Sequence, residues 1–364
     1  MTLIPIRPEL VKKHSDTYSR YIYDLVCRAA SGDRFAASGK WTAFPMATDN
    51  VVLWKEYFAI FINFYDSDKG DLAISRPEKL DGLIQKEQAF LLSKGLTAKS
   101  PFVKRVYGFF EAYVPYSLFK GGSIWQLKKN TAGEWERHYR RNPQRWNASE
   151  FVHGLGVSIC PYCNAAELAL RDVVKPSGTK RMNADLDHVF NKDLYPYLSL
   201  SLYNLVPACD TCNRRIKEQR TLSFRKHAHP YVDDVNKHTV FAVPDRYLLD
   251  ASVRGLASSA VNIRINKRSP AADPRAMALM NFFDIQGACK TVGYSSAVER
   301  VVNPFAHGRE YLKSTFAAVG ISQKDALKST FGFCMDPKEI NRAAYGKLIL
   351  DVYEQCKRVS SWSA

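Results

Sequence analysis

The sequence predicts an α+β fold: a mainly helical N-terminal region over residues 1–149, a central module over 150–235 organised by two cysteine pairs, and a mixed strand and helix C-terminal region over 236–364. Three observations carry that expectation. Apolar residues recur at helical spacing through the first third, two Cys-x-x-Cys pairs stand 46 positions apart in the middle, and strand-like and helix-like patterns share the last third.

From Glu9 to Ala30 the apolar positions Tyr18, Tyr21, Ile22, Leu25, Val26 and Ala29 fall on one helical face. The run Val51 to Tyr65 continues in that style, and Lys55, Glu56 and Asn63 interrupt it well short of the roughly 20 apolar residues that span a bilayer. A polar stretch, Phe119-Lys-Gly-Gly-Ser123, then leads to Trp135-Glu-Arg-His-Tyr-Arg-Arg-Asn-Pro-Gln-Arg-Trp146, where basic and aromatic side chains interleave. That pattern suits a phosphate-contacting surface, and equally a solvated helix face anchored by two tryptophans. Further on, Val261-Asn-Ile-Arg-Ile-Asn266 alternates like a half-buried strand, and Ile340, Ala344, Leu348 and Val352 line one face of a final helix. Cys27, Cys289, Cys334 and Cys356 have no partners in sequence and read as small buried apolar residues.

At 364 residues the chain holds two or three folded units, and 46% hydrophobic residues make it globular throughout. A formal charge of +16 points to a polyanionic partner, nucleic acid first. The opening MTLIPIRPELVKK lacks the pattern of a signal peptide, so the expected location is cytoplasmic, with no membrane partner. In a reducing compartment, eight cysteines are better explained by metal than by disulfides.

Cys160-Pro-Tyr-Cys163 can be a redox dithiol or half of a zinc site. A redox pair needs a strand before it, a helix after it and no further cysteines nearby. Here Cys209-Asp-Thr-Cys212 follows, and two such knuckles close a four-thiolate shell around Zn²⁺. Four sulfurs leave no open coordination position, so the expected zinc is structural.

Around the pairs stand Asp185-Leu-Asp-His-Val189, Tyr203-Asn-Leu-Val-Pro-Ala-Cys209 and Cys212-Asn-Arg-Arg-Ile-Lys217. With "CPYCN", "LDHVFNKDLYPYLSLSLYNLVPACDTCNRRIK" and the trailing "HPYVDD", the chain resembles the HNH, or ββα-metal, endonucleases, in the bacterial subclass braced by a four-cysteine zinc. The resemblance covers Gly156 to Asp234, about a fifth of the chain. One departure is Asn191-Lys-Asp193, where many relatives carry Pro-Lys-Ser.

The resemblance implies a ββα module with His188 as general base, activating water for phosphodiester hydrolysis, and a catalytic Mg²⁺, for which Mn²⁺ can substitute, held by Asp187 and Asn213. Asn204 is expected to hydrogen-bond across the loop and orient His188. Asp185 lies on the Asp187 face of the strand, either assisting the metal or simply exposed. Lys217 falls one turn beyond Asn213, where it could contact phosphate beside Arg214 and Arg215. His229 reads as packing. The expected substrate is DNA in preference to RNA, the expected role bacterial defence against phage or foreign DNA, and a partner ATPase or other defence-system protein the expected companion.

The main alternative is a zinc-stabilised nucleic-acid-binding module without catalysis, which has no reason to keep Asp187, His188, Asn204 and Asn213 together. A zinc deaminase needs His-x-Glu, which none of the eight histidines provides.

Overall fold

The computed structural model describes residues 3–45, 50–141, 146–168, 172–174, 180–182, 185–218, 220–248, 261–306, 322, 325, 328, 340 and 342–358. Helix α1 (Pro8–Ser31) starts with proline at its first position, where no backbone donor is needed, and ends at Gly32 in the left-handed region. Its buried face is the predicted one, with Tyr18, Ile22, Leu25, Val26 and Ala29 joined by His14. Helix α2 (Val51–Asp66) is capped by the Asn50 side chain, which accepts from Leu53 N. Helices α3 (Pro77–Ser93) and α4 (Pro101–Tyr113) pack against it, and the short α5 (Ser117–Gly121) closes the set.

An aromatic core fills this region. Phe35, Phe44, Trp54, Phe58, Phe61, Phe109 and Phe110 are all fully buried and meet edge-on or tilted, with Phe44 and Trp54 stacked, at ring separations of 4.9–6.3 Å. Each contributes on the order of 1.5–3 kcal/mol of burial. Inside it, Glu87 accepts from the hydroxyls of Tyr57 (2.5 Å) and Tyr197 (2.6 Å), and burial raises its pKa to about 7.

The first part of the interleaved basic and aromatic stretch, Trp135–Arg141, is a strand, not a helix face. Strand β2 (Trp135–Arg141) pairs antiparallel with β1 (Ser123–Lys129), opposing Trp125 to Tyr139 and Leu127 to Arg137. Trp135 and Arg137 are engaged inward, while Glu136 and His138 pair with each other on the more open face. The Trp135 indole donates to Asp33 (2.8 Å) under the Arg28 guanidinium, and Arg137 lies over Trp125 and donates to Ala112 O. Trp146 is buried against His14. Cross-strand packing of aromatic with basic side chains explains the alternation as the strand period of two.

After α6 (Ala148–Leu155) come two small antiparallel pairs, β3 (Asp172–Val174) with β4 (Lys180–Met182) and β5 (Asp185–His188) with β6 (Leu205–Ala208). A π-helical element, α7 (Thr211–Lys217), follows β6 directly. The C-terminal region mixes the β7 (Thr239–Ala242) and β8 (Arg264–Lys267) pair with helices α8 (Pro274–Phe282), α9 (Ile285–Ala288), α10 (Val292–Ala306) and α11 (Gly346–Arg358). Of the alternating stretch predicted to be a strand over 261–266, only the part from Arg264 pairs, as β8.

Cys289 and Cys356 are buried, Cys27 is half-buried, and Cys334 lies outside the described residues. Among the described residues no helix is long and apolar enough to cross a membrane.

Candidate functional site

The four cysteines of the two pairs meet. The Sγ atoms of Cys160, Cys163, Cys209 and Cys212 all lie within 4.8 Å of one another. A tetrahedral shell with Zn–S near 2.3 Å puts its sulfurs roughly 3.8 Å apart, so this set can hold an ion such as zinc. Local backbone makes the cradle: Cys212 N donates to Cys209 Sγ (3.4 Å), and Asn164 N donates to Cys160 O (2.8 Å). Asn164 adopts φ 53°, a left-handed conformation that asparagine tolerates, and its side chain bonds Lys347 N and Ile340 O. The first knuckle is thereby docked on the C-terminal region.

Strands β5 and β6 pair with His188 opposite Leu205 and Asp185 opposite Ala208. The loop between them is closed by Asn204, which is fully buried. Its Oδ1 accepts from Phe190 N (2.6 Å), and its Nδ2 donates to Phe190 O (3.1 Å) and Leu198 O (3.0 Å). His188 is 8% exposed, and its Nε2 stands 3.1 Å from Ser199 O. A carbonyl only accepts, so Nε2 carries the proton and Nδ1 carries the lone pair of the neutral ring. Burial lowers the His188 pKa to about 4, partly offset by the Ser199 bond and Asp187, which keeps the ring neutral at physiological pH.

Asp187 and Asn213 take different partners. Asp187 is buried: its Oδ2 accepts from the Tyr162 hydroxyl (2.6 Å), and its Oδ1 accepts from Lys217 Nζ, which also donates to His188 O. Lys217 therefore points inward and does not present its ammonium to a phosphate. Burial lowers its pKa despite the Asp187 charge. Asn213 turns its amide to Asp185 (3.3 Å), which Arg214 grips with two bonds of 2.7 and 2.8 Å. Burial would raise the Asp185 pKa, but the bonds from Arg214 and Asn213 outweigh it and lower the value. Arg215 reaches Asp210 (3.3 Å) and is largely exposed. His229 packs among Phe190, Phe224 and Tyr231, and its Nδ1 accepts from Tyr231 N.

Sequence reasoning missed what surrounds His188. The Tyr116 ring meets it edge-on at 4.9 Å. The segment 199–202 is held by the N-terminal region: Ser199 Oγ donates to Val114 O, His14 Nε2 bonds Leu200 O, Ser201 Oγ donates to Leu72 O, and Leu202 N donates to Ala73 O (2.7 Å). These partners lie 85 to 186 positions away, beyond any local pattern. A cavity of about 460 Å³ beside Ser158, Glu167, Arg300 and Arg342 and one of about 180 Å³ beside Phe190, Tyr195 and Phe224 both lie off His188 and Asp187.

Comparison with known proteins finds no matching protein-family model, no matching curated protein and no matching solved structure.

Proposed function

We propose that the chain is an HNH endonuclease of the bacterial four-cysteine zinc type, hydrolysing phosphodiester bonds in DNA. The observation that carries the reading is His188: a buried, neutral imidazole whose Nε2–H is fixed on Ser199 O, leaving Nδ1 as the acceptor. In the reaction Nδ1 takes a proton from water, the hydroxyl oxygen bonds to phosphorus, and the phosphorus bond to the leaving oxygen breaks.

Zinc, when bound, would sit on Cys160, Cys163, Cys209 and Cys212 and supply folding energy rather than reactivity. It would fix the start of α7, hence Asn213, Arg214 and Lys217. Arg214 and Arg215 are exposed cations beside the site and suit backbone phosphates. The resemblance implies Mg²⁺ dependence, but Asp187 is engaged by Tyr162 and Lys217 while Asn213 turns its amide to Asp185. A role in defence against foreign DNA, beside a partner ATPase in the cytoplasm, belongs to the same proposal by family analogy.

The second reading, a nucleic-acid-binding module without catalysis, draws on that same disagreement: Lys217 neutralises Asp187 from within. Incubating the protein with supercoiled, linear and single-stranded DNA and with RNA, with and without Mg²⁺, separates the two. Nicking or linearisation of DNA in Mg²⁺ supports the nuclease, and binding without cleavage supports the module.

A further inference from the structure

Glu87 of α3 is fully buried in the aromatic core, where packing alone calls for an apolar residue and a carboxylate is costly unless it is bonded. Three tyrosine hydroxyls converge on it. Tyr57 of α2 donates to Oε1 (2.5 Å), Tyr197 donates to Oε2 (2.6 Å), and Tyr107 of α4 is bonded to it as well. Burial holds the pKa of Tyr57 and Tyr197 well above the usual phenol range, so both keep their protons and donate. Tyr57 and Tyr107 belong to the helical region, whereas Tyr197 belongs to the loop between β5 and β6. The carboxylate therefore joins that loop to α2, α3 and α4.

This joint lies two residues from the contact that orients His188. Tyr197 is the centre of a 3₁₀ turn, Pro196–Leu198, in which Leu198 N donates to Tyr195 O (2.9 Å) and Ser199 N donates to Pro196 O (3.2 Å). The carbonyl that follows the turn, Ser199 O, receives His188 Nε2–H. Helix α3 grips the start of the turn a second time, where Gln88 donates to the Tyr195 hydroxyl (3.1 Å). At its end Ser199 Oγ donates to Val114 O, and Tyr116, two residues after Val114, packs edge-on to the His188 ring.

We infer that Glu87 is a positioning residue for His188: through Tyr197 it holds the turn whose carbonyl sets the imidazole. The inference rests on the nuclease reading, in which that imidazole is the base. A carbonyl selects the tautomer only while it stays in place. When the turn is released, Ser199 O moves off Nε2 and both tautomers are populated. In one of them Nδ1 carries the proton and takes none from water.

The experiment uses the full-length, zinc-loaded protein labelled at its histidine nitrogens, at about pH 8, above the Glu87 value of about 7. The His188 tautomer is read from two-bond proton–nitrogen correlations in NMR, assigned by their absence in His188→Gln, and kcat and KM are measured on supercoiled DNA in Mg²⁺. Glu87→Leu removes the acceptor. Tyr197→Phe removes one hydroxyl and keeps its ring against Phe61 and Phe110. Trp54→Phe weakens the same core away from the turn, by deleting the indole bond to Ala29 O. Glu87→Leu and Tyr197→Phe are both expected to show two tautomers and a kcat lower by about 10- to 100-fold with KM near wild type. Trp54→Phe is expected to melt below wild type yet keep one tautomer and the wild-type kcat. Should Glu87→Leu fail to fold because three hydroxyls lose their acceptor, Tyr197→Phe decides. A single Nε2–H tautomer in Tyr197→Phe, or an equal loss of kcat in Trp54→Phe, overturns the assignment. A wild type that does not cut DNA removes the nuclease reading, and the tautomer in Tyr197→Phe still shows whether Glu87 positions the ring.

Discussion

His14 should couple the stability of the whole chain to pH. It is fully buried in α1, its Nε2 donates to Leu200 O (2.6 Å), and its Nδ1 accepts from the Trp146 indole (3.1 Å). The indole only donates, so Nδ1 must keep its lone pair and the ring must stay neutral, with its one proton on Nε2 toward the carbonyl. Burial lowers the pKa to about 4 from 6.5, with the Leu200 bond opposing. Because the folded value lies below the unfolded one, the unfolded chain takes up the proton first as pH falls. The contribution is complete above about pH 6.5 and is lost progressively down to about pH 4, by roughly 3 kcal/mol in total. His14→Phe keeps the bulk, removes the titration and strands Leu200 O and Trp146 N–H, costing about 1–3 kcal/mol for each. Urea unfolding of both proteins at pH 7.5 and pH 5 is the assay. Zinc thiolates and the other histidines cancel in the difference, so the gap should shrink by roughly 2 kcal/mol at pH 5. A gap that stays constant with pH would refute the buried neutral pairing.

The protein should purify with one zinc per chain; metal analysis finding none, or a Cys160→Ser/Cys209→Ser double variant as stable as wild type, contradicts the four-thiolate site. DNA affinity should fall by orders of magnitude between about 50 and about 200 mM salt, given the +16 charge, and a flat profile would turn that charge toward solvent or another protein. Asn204→Ala removes three loop-closing bonds and should lower turnover while leaving DNA affinity near wild type; unchanged turnover would deny it any role in orienting His188.

What the sequence made legible was local. Helices α1 and α2 follow from apolar spacing, and the cysteine set follows from two knuckles whose geometry is fixed by chain chemistry. The stretch from Trp135 was ambiguous because basic and aromatic residues alternate on a strand and also cluster on a helix; only pairing with β1 decides it. Lys217 looked like a phosphate contact because its distance from Asn213 is one helical turn. Its true partner, Asp187, lies 30 positions back on another element. The surroundings of His188 were illegible for the same reason: Tyr116, Val114 and His14 reach it, or the segment holding it, across long loops from the N-terminal region. Spacing along a chain reports what one element presents, not what a distant element places against it.

The most direct test of the central claim is cleavage of supercoiled DNA by His188→Ala in Mg²⁺, with zinc content, melting temperature and DNA affinity measured on the same preparation. The account predicts a rate lower by about 10²–10⁴ with the other three quantities near wild type, because the imidazole acts on water rather than on the scaffold. A variant that cuts as fast as wild type would contradict it, and the binding-module reading would take its place.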